Sequence, residues 1–415
     1  MPQLSPFRGL RYDLSAVSDL SAVLCPPYDV ISASESAQLV ARHERNAVRL
    51  ELPQSLVRGE DQYAGAARLL ADWQADGTLV RDDEPLVYVY EQSYELPSAG
   101  RGVARSFFCR LRLEEYGPAA GVRPHEHTMS GPKEDRFRLL SEVRANLSPV
   151  LLLYDDATGG ARSAALLDSL TGVPPAATAV GPGGVGQRLW TIDPARNQVA
   201  AELLAVAAGG PLTIADGHHR YETALRYRTT QGAGGEADWV LALLYETNSG
   251  GLALLPWHRL VSGVSDPEAV LAAAGEAFAL RRAATSAELL DALDARKDPG
   301  VAAIWTRVGG ALVSLAPRRT PGDRLDVSVV SDNLSRMIGS SERELSAAER
   351  LEYLSDGREA VAAVDAGRAD VAILLRATPV ESVVDIAAEG GFMPPKSTYF
   401  HPKAATGMVF NPMTS

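Results

Sequence analysis

The chain has 415 residues, of which 46% are hydrophobic and 22% charged, and its formal net charge is -12. This is the composition of an ordinary globular protein, long enough for two or three domains. The negative charge argues against a general nucleic-acid surface, and no run approaches the roughly 18 apolar residues of a membrane span. Two cysteines, Cys25 and Cys109, form no disulfide framework, and the first residues lack a signal pattern, so we expect a cytoplasmic protein.

The first 120 residues predict short elements around a rigid loop. Residues 20–24 resemble a strand, and Pro26 and Pro27 then hold the chain extended, so that it presents Tyr28 and Asp29 or simply leads into a helix. Residues 46–52 predict a strand that carries Glu51. Apolar spacing predicts a helix over 59–75, and alternation predicts a hairpin of 85–94 and 105–113 joined by a turn at 97–102.

The stretch 121–136 concentrates chemically active side chains. It contains His125, Glu126, His127, Lys133 and Arg136, and a helix is predicted to follow through residue 143. Two histidines at alternating spacing could form half of a zinc site, but no cysteine lies nearby. We favour Glu126 as a carboxylate base flanked by imidazoles.

Residues 155–187 are rich in glycine, alanine and proline, which predicts a flexible connection or a lid. Before this segment, 146–154 predicts a turn into a buried strand. After it, 188–192 predicts a strand, and Asp193-Pro194 predicts the start of a helix that runs to residue 208.

The most informative stretch is 211–225. Five mostly apolar residues predict a buried strand, and 221–227 predicts a helix, with Asp216-Gly-His-His-Arg220 as the loop between them. The start of a helix attracts anions, and two imidazoles and a guanidinium favour a phosphate as the ligand. Asp216 fits there if Mg²⁺ accompanies the phosphate. The alternative is a simple helix cap.

The last 180 residues predict further α/β elements. Strand 238–246 is predicted to pair with 252–257, and 300–306 with 311–315. Helices are predicted from Asp266-Pro267 onward and over 325–338, 347–354, 358–366 and 380–389, and a strand over 371–375. Residues 390–403 form a polar, proline-rich segment whose aromatic residues suggest that it docks back on the core.

Lysine is rare, with 4 residues among the 40 basic ones: Lys133, Lys297, Lys396 and Lys403. Three of them lie next to prolines, in 131–135, 393–398 and 401–403. A lysine kept in an arginine-rich chain suggests a need for a compact ammonium group, and we expect a phosphate or carboxylate contact among these three.

These motifs together carry a resemblance to a known family. Asp216-Gly-His-His-Arg220, with 26–31, 124–128, 146–150 and 393–398, resembles a large microbial family of unknown function grouped with the ParB/sulfiredoxin-like superfamily. The resemblance covers essentially the whole chain. It implies an α/β fold with a ParB/sulfiredoxin-like nucleotide-binding core (120–235), an N-terminal α/β portion (1–119) and a C-terminal α/β portion (236–415) whose tail docks on the core.

Members with the same loop motif resemble free L-serine kinases, in which a Pro-His-Glu segment supplies the catalytic carboxylate. This matches Pro124-His125-Glu126, and Glu51 is the reserve base. The expected catalytic residues are Glu126, Asp216 and His219, with Asp216 on the metal. The expected phosphate contacts are Gly217, His218, His219, Arg220, Lys133, Arg136, Lys396 and Lys403. The expected substrate contacts are Tyr28, Asp29, Glu51, His125, His127, Ser397 and Thr398.

The resemblance therefore predicts a kinase that uses Mg²⁺ and ATP or ADP to phosphorylate a small hydroxylated substrate, first of all serine. A ParB-like nucleotide-binding, DNA-associated regulator is the alternative from another class, although the chain shows no basic recognition helix. A phosphatase on the same anion site is a third function. No membrane partner is expected, and a homodimer is left open.

Overall fold

The computed structural model describes residues 1–53, 61–96, 100–117, 120–128, 130–232, 234–314 and 325–413, without the side chains of 130–132 and 277. No described helix is long and apolar enough to cross a membrane. The chain divides into two compact units. Unit 1 comprises Met1–Pro124, Thr128–Ala253 and Pro402–Ser415, and unit 2 comprises His125–His127 and Leu254–His401.

Unit 1 contains nine α-helices and thirteen strands among its described residues. Its helices are α1 (Leu14–Val17), α2 (Leu20–Val23), α3 (Ala33–Arg42), α4 (Val48–Glu51), α5 (Gln62–Ala75), α6 (Ser130–Val143), α7 (Ala161–Thr171), α8 (Gln198–Ala207) and α9 (His218–Gln231). Its strands are β1 (Leu4–Ser5), β2 (Leu10–Tyr12), β3 (Leu79–Arg81), β4 (Val87–Leu96), β5 (Gly100–Arg112), β6 (Val122–Arg123), β7 (Ala145–Asn146), β8 (Val150–Tyr154), β9 (Ala177–Val180), β10 (Gly186–Ile192), β11 (Leu212–Asp216), β12 (Trp239–Glu246) and, near the C-terminus, β21 (Asn411–Pro412).

The centre of unit 1 is a mixed sheet that counts nine strands among the described residues. Its order is β6-β11-β8-β12-β5-β4-β10-β9, with β1 added beside β5. The pairs β12–β8 and β11–β6 are parallel, whereas β11–β8 and β4–β5 are antiparallel. Strand β8 is buried along its whole length, as an apolar run of five residues in a central strand should be. The predicted α/β class is therefore correct in the form of a mixed sheet.

Unit 2 also contains both helices and strands. Its strands are β13 (Ala253–Leu255), β14 (His258–Val261), β15 (Ala279–Ala283), β16 (Val301–Thr306), β17 (Gly309–Ser314), β18 (Leu351–Leu354), β19 (Val371–Leu374) and β20 (Tyr399–His401). Its helices are α10 (Pro267–Ala277), α11 (Ser286–Asp294), α12 (Asp326–Ile338), α13 (Glu342–Ala347), α14 (Gly357–Asp365) and α15 (Val380–Ala388). Within the described ranges, six of the strands form a sheet of order β15-β17-β16-β19-β14-β18, and β13 pairs with β20.

Several predictions about the first unit are wrong, and local capping explains them. Residues 20–24 and 46–52 are not strands but contain the short helices α2 and α4. Asp19 accepts a hydrogen bond from the backbone of Ser21, and Asn46 accepts one from Val48. Such side-chain bonds to nearby N–H groups favour a turn over a strand. The helix predicted at Asp193-Pro194 begins instead at Gln198, capped by Asn197.

The predicted flexible connection at 155–187 is also wrong, since it contains α7, β9 and β10. Asp156 accepts hydrogen bonds from the backbone of Thr158 and Ser163, which fixes the turn before α7. Gly159 and Gly160 adopt left-handed φ values of 66° and 89° that suit glycine. The glycines thus serve turns between regular elements.

In unit 2, two predictions fail and several are confirmed. Residues 347–354 are not a helix: a capping box of Ser341 and Glu344 begins α13 earlier, and Glu349 at φ 55° precedes β18. Residues 252–257 do not pair with β12. The hairpin β16–β17 and the helices α10, α12, α14 and α15 were predicted correctly.

Residues 59–60, 97–99 and 315, which belonged to predicted elements, lie outside the described residues. The three-segment division 1–119, 120–235 and 236–415 stays a prediction.

Candidate functional site

The junction between β11 and α9 is shorter than predicted. Strand β11 includes Asp216 and α9 begins at His218, so Gly217 alone forms the turn, with φ at 90°. The pairing of β11 with β8 shifts register between Ile214 and Asp216, which bends the strand just before the turn. His218, His219 and Arg220 therefore form the first turn of α9 rather than a loop.

Asp216 lies between two cationic side chains. Its Oδ1 accepts a hydrogen bond from Lys403 Nζ at 2.8 Å, and its Oδ2 accepts one from Arg220 Nη2 at 2.6 Å. Burial alone would raise the pKa of this carboxyl, but Lys403 and Arg220 outweigh burial and hold the pKa well below its usual range. Asp216 is therefore ionised at neutral pH, and the C-terminal segment contributes directly to the junction.

Arg220 is held in a fixed orientation beneath the turn. Its Nη1 donates to the carbonyl oxygen of Pro149, and its buried Nε has no hydrogen-bond partner among the described residues. A Cβ on Gly217 would lie 3.0 Å from the Arg220 Cζ, so the absence of a side chain there lets the guanidinium pack against the backbone. The N-cap residue of α9 is Gly217, which has no side chain to cap the helix, and the start of a helix carries partial positive charge. The junction therefore combines three sources of positive potential, which are Lys403, Arg220 and the start of α9.

The two histidines of the motif differ in exposure. His218 is buried, with 7% of its surface exposed, whereas His219 is half-buried. Burial lowers the pKa of His219, and Glu222 opposes this shift while Lys133 adds to it. The His219 imidazole is therefore neutral at pH 7 and can both donate and accept a hydrogen bond.

Lys133 is paired with Glu222, one turn into α9. The same carboxylate accepts hydrogen bonds from the hydroxyls of Thr128, at 2.6 Å, and Tyr116. Burial would raise the pKa of Glu222, but Lys133 and the two hydroxyls lower it. Lys133, which we predicted as a phosphate contact, thus joins α6 to α9.

Glu51 lies in a buried pocket of unit 1. It is 2% exposed, and its carboxylate accepts a hydrogen bond from the hydroxyl of Ser148. Arg136 Nη1 donates to the Glu51 carbonyl oxygen at 2.8 Å, and its guanidinium lies over the ring of Tyr28 at 4.2 Å. Arg136 also contacts Asp135, so it is held in place on several sides.

Tyr28, Glu51, Arg136, Ser148 and Arg220 line one cavity, together with Leu139, Leu140, Ala145, Asn146, Leu147, Thr223 and Val240. Burial raises the pKa of the Tyr28 hydroxyl, and the exposed Asp29 next to it adds to this shift. The structure thus places the reserve base Glu51 and the predicted residue Tyr28 beside Arg220 of the junction.

The remaining predicted site residues belong to unit 2, where two of the motifs meet. Glu126 pairs with Met393 in a parallel bridge, and the Met393 N–H donates to the His125 carbonyl oxygen at 2.8 Å. His125 Nε2 lies 3.4 Å from the Thr398 hydroxyl, and the exposed His127 ring stacks on Phe392 at 3.9 Å.

The 393–398 motif is itself ordered by local contacts. Lys396 has a φ of 56° and its ammonium lies 4.9 Å from the centre of the Trp257 ring. Ser397 is buried, and its hydroxyl donates to the Pro394 carbonyl oxygen at 2.5 Å. The indole of Trp257 donates to the Thr398 carbonyl oxygen at 3.1 Å. The segments 125–127 and 393–398 therefore form one cluster.

The donor set limits what kind of metal could bind. Within the described ranges, no group of three or more His, Cys, Asp or Glu side chains could hold a metal ion by itself. At the junction, Asp216 is a carboxylate whose two oxygens already accept hydrogen bonds from cations. This does not fit a resident Mg²⁺. It fits a Mg²⁺ that arrives with nucleotide phosphates, since one carboxylate then suffices.

Two residues of the site had no role in the sequence interpretation. Ser148 bonds Glu51, and Glu222 collects Lys133, Thr128 and Tyr116. Ser148 lay inside the motif 146–150, which pointed to the segment but not to the side chain. Glu222 could have been suspected as an acidic residue two positions after the Asp216–Arg220 motif.

Similar solved structures include a free serine kinase in complex with AMP, at 15% identity over 71% of this chain and 86% of that chain, with a TM-score of 0.38. A conserved hypothetical protein from Pyrococcus furiosus has 15% identity over 71% of this chain and 90% of that chain, with a TM-score of 0.37. SbnI with C-terminal truncation from Staphylococcus aureus has 11% identity over 72% and 87%, with a TM-score of 0.38.

No curated protein matches the chain. None of these comparisons tests the ParB/sulfiredoxin-like core, which stays a prediction. One family model, described as "Protein of unknown function (DUF1015)", matches residues 4–334, and the chain therefore belongs to this family.

Proposed function

We propose that the protein is a nucleotide-dependent phosphotransferase that acts on the hydroxyl group of a small molecule, with free L-serine as the first acceptor to test. The observation that carries the proposal is the convergence of Lys403 and Arg220 on Asp216, directly before the start of α9. Phosphoryl transfer is catalysed mainly by positioning phosphates and stabilising their charge, and this cluster supplies groups of that kind.

In this proposal the phosphates bind at the N-terminus of α9. Arg220 and Lys403 would share their donors between Asp216 and the phosphate oxygens, because charge-assisted bonds to phosphate are as favourable as those to carboxylate. The glycine at 217 has no side chain that would keep a phosphate away from the backbone. Lys133, Arg136 and Lys396 remain further phosphate contacts in the proposal, although each already has a protein partner.

His219 would act as a neutral hydrogen-bonding group. Its lowered pKa means that it adds no positive charge before the nucleotide binds. A phosphate nearby would favour the protonated imidazole, so nucleotide binding would be coupled to proton uptake at His219. His218, which is buried, would support the turn.

Mg²⁺ would enter with the nucleotide. When bound, it neutralises part of the charge on the phosphates, and Asp216 is the residue that would hold it. Lys403 and Arg220, which now donate to the Asp216 carboxylate, would then share it with the metal. The proposed nucleotide is ATP or ADP.

Two carboxylates are proposed as the base that orients the acceptor hydroxyl. Glu126 is the first choice, from the Pro124-His125-Glu126 motif, in a cluster with His125, His127, Ser397 and Thr398 that would bind the acceptor. Glu51 is the second choice. It lies in the same cavity as Arg220 and Tyr28, and it already accepts a hydrogen bond from a serine hydroxyl, that of Ser148. A base must be within hydrogen-bond reach of the proton that it removes.

The test uses the full chain with Mg²⁺ and either ATP or ADP. L-serine and a panel of hydroxylated metabolites are supplied, and phosphorylated products are detected by phosphorus NMR. We expect O-phosphoserine to form. Arg220→Ala should lower the rate by roughly 10²-fold or more, as loss of a charge-stabilising donor does in other enzymes. Arg226→Ala is the matched control, because Arg226 lies on the same helix but is 48% exposed and pairs with Glu134.

Two results would contradict the proposal. One is the absence of phosphate transfer to any hydroxyl by folded protein that contains bound nucleotide. The other is release of inorganic phosphate with water as the sole acceptor, which would favour the phosphatase. A rate equal to wild type in Arg220→Ala would exclude the junction as the phosphate site.

A further inference from the structure

A row of alternating charges crosses four adjacent strands of the unit 1 sheet. Arg188 on β10 is paired with Glu91 on β4, and Glu91 is paired with Arg105 on β5. On the next strand, Leu244 of β12 is paired with Phe107, so Glu246, two residues further along, continues the row beside Arg105. Directly paired residues of neighbouring strands lie on the same face, about 4.8 Å apart. The four side chains therefore form one line on one face.

The two arginines of this row share a single buried carboxylate. Glu91 is 3% exposed and accepts hydrogen bonds from Arg105 Nε and Arg188 Nε, each at 2.8 Å. Arg105 Nη1 also contacts Asp168 of α7. The hydrogen bonds to Glu91 and Asp168 use Nε and Nη1 of Arg105 and Nε and Nη2 of Arg188. One carboxylate thus orients two guanidinium groups and leaves a donor on each for an external anion.

At the other end of the row, Glu246 makes no ion pair among the described residues, although Arg105 is its neighbour across the strands. Glu246 is 2% exposed, and its carboxyl accepts hydrogen bonds from the backbone N–H of Asn248 at 2.8 Å and from its amide at 3.3 Å. Burial raises the pKa of this carboxyl. The hydroxyls of Ser163 and Tyr154 lie beside each other, but neither makes a hydrogen bond of regular geometry to a described residue. The Glu246 carboxyl therefore has hydrogen-bond donors from Asn248 and Asp156 but no ion-pair partner among the described residues, and a ligand cation would supply the opposite charge.

A cavity connects the two ends. Its volume is about 260 Å³, and it is lined by Arg105, Arg188, Glu246 and Ser163, with Val103 and Leu167 as apolar walls. Pockets for drug-sized ligands start near roughly 300 Å³, so this cavity suits a smaller metabolite. Glu91 also lines the cavity, so one side presents two guanidinium groups around one carboxylate and the other side presents the Glu246 carboxyl.

We propose that this cavity binds a small zwitterion of amino-acid size, with its carboxylate on Arg105 and Arg188 and its ammonium on Glu246 and Ser163. The site is separate from the junction at Asp216. Strand β8 pairs with Asp216 at Leu151 and with Glu246 at Tyr154, so the junction and the cavity lie toward opposite ends of this strand. The proposal goes beyond the phosphotransferase function and does not depend on it.

The test measures binding without nucleotide. The full chain is heated with each L-amino acid at millimolar concentration, and ligands that raise the Tm are titrated by calorimetry. We expect at least one amino acid to raise the Tm, since a ligand that binds only the folded state stabilises it. Glu246→Gln and Arg188→Gln should each weaken binding roughly tenfold or more, because each removes a charged hydrogen-bond partner.

Arg162→Gln serves as the matched control. Arg162 lies on α7 one residue before Ser163, pairs with Glu202 and does not line the cavity, so binding should be unchanged. Analogues of the ligand that lack the amino group should bind more weakly and should not respond to Glu246→Gln. If Glu246→Gln does not unfold cooperatively, Ser163→Ala replaces it, with weaker binding again expected.

The proposal is overturned if no amino acid changes the Tm or gives heat of binding. It is also overturned if the analogues bind as tightly as the amino acid, because the cavity would then recognise an anion alone. Unchanged affinity in both Arg188→Gln and Glu246→Gln would place the ligand elsewhere. Each readout is binding, so the result is independent of phosphate transfer.

Discussion

Replacing Lys403 with methionine tests the cluster at the β11–α9 junction most directly. The substitution keeps a side chain of similar length and removes the ammonium that lies 2.8 Å from Asp216 Oδ1. The side chains of Lys403 and Asp216 are 11% and 19% exposed, so solvent screens this pair only partly. At an effective dielectric constant near 20, the attraction at this distance is about 6 kcal/mol.

Two effects reduce this figure. Desolvation of the ammonium costs several kcal/mol in the native protein, and Arg220 still holds Asp216 at 2.6 Å in the variant. We therefore expect Lys403→Met to lower the free energy of unfolding of unit 1 by about 2 kcal/mol at pH 7, near the value for a hydrogen bond to a charged group.

The effect should depend on pH in a defined direction. The pKa of Asp216 is lowered in the folded state, so its contribution is fully present above the unfolded value of about 3.9 and is lost as the pH falls through the folded pKa. Without Lys403 the folded pKa moves closer to the unfolded one. The difference between wild type and variant should therefore be constant above about pH 5 and should narrow below about pH 4.

The assay is amide hydrogen exchange of β11 and α9 in increasing urea, which reports unit 1 alone. Lys297→Met is the control, because Lys297 is an exposed lysine of unit 2 and its loss should leave this exchange unchanged. A change below about 0.5 kcal/mol in Lys403→Met, or a difference that does not narrow in acid, would refute the reasoning, since surface substitutions have effects of that size.

The other predictions concern the base, the turn and a buried histidine. Either Glu126→Gln or Glu51→Gln should lower turnover by roughly 10²-fold or more with nucleotide affinity retained, and normal turnover in both would exclude a carboxylate base at these positions. Gly217→Ala should destabilise the protein by more than Gly77→Ala in urea unfolding. Both glycines have φ near 80–90°. A Cβ at Gly217 would lie 3.0 Å from the Arg220 guanidinium, whereas a Cβ at Gly77 would meet nothing within 4 Å. Equal losses of stability in the two variants would mean that the positive φ, and not the contact with Arg220, determines the cost of the substitution. Burial lowers the pKa of His258 to about 4. The free energy of unfolding of unit 2 should therefore fall by up to about 3 kcal/mol between pH 6.5 and pH 4, because the unfolded chain takes up a proton that the folded His258 does not. His258→Gln should reduce this loss in acid denaturation monitored by hydrogen exchange.

Periodic patterns were the reliable part of the sequence. The hairpin β4–β5, the buried strand β8 and strand β12 were predicted because alternation or an unbroken apolar run persists over five or more residues. Elements of four residues, such as α2 and α4, have no period to detect, and one capping side chain decides their conformation.

The site could be predicted in part. The strand, the glycine and the basic residues around Asp216 indicated an anion site, because the start of a helix has that property wherever it occurs. The partners could not be predicted, since Lys403 is 187 residues away from Asp216 in the chain and no local pattern encodes that contact. The rarity of lysine drew attention to Lys403 but also to Lys297, which is exposed in unit 2. The rarity of lysine thus indicated which residues to consider as site residues, but not which side chains they contact.

The separation of Asp216 from Lys403 also has a consequence for folding during translation. Unit 1 is interrupted by Leu254–His401 and is completed only by the segment that begins at Pro402. At about 5–20 residues per second, the ribosome needs roughly 10–40 s to add the 187 residues between the two partners. During that interval the Asp216 carboxylate can pair with Arg220 but not with Lys403. A nascent chain therefore carries an Asp216 carboxylate with only one of its two cationic partners until Lys403 is made. In the proposed function, a nucleotide or Mg²⁺ present during synthesis would meet Asp216 before Lys403 does.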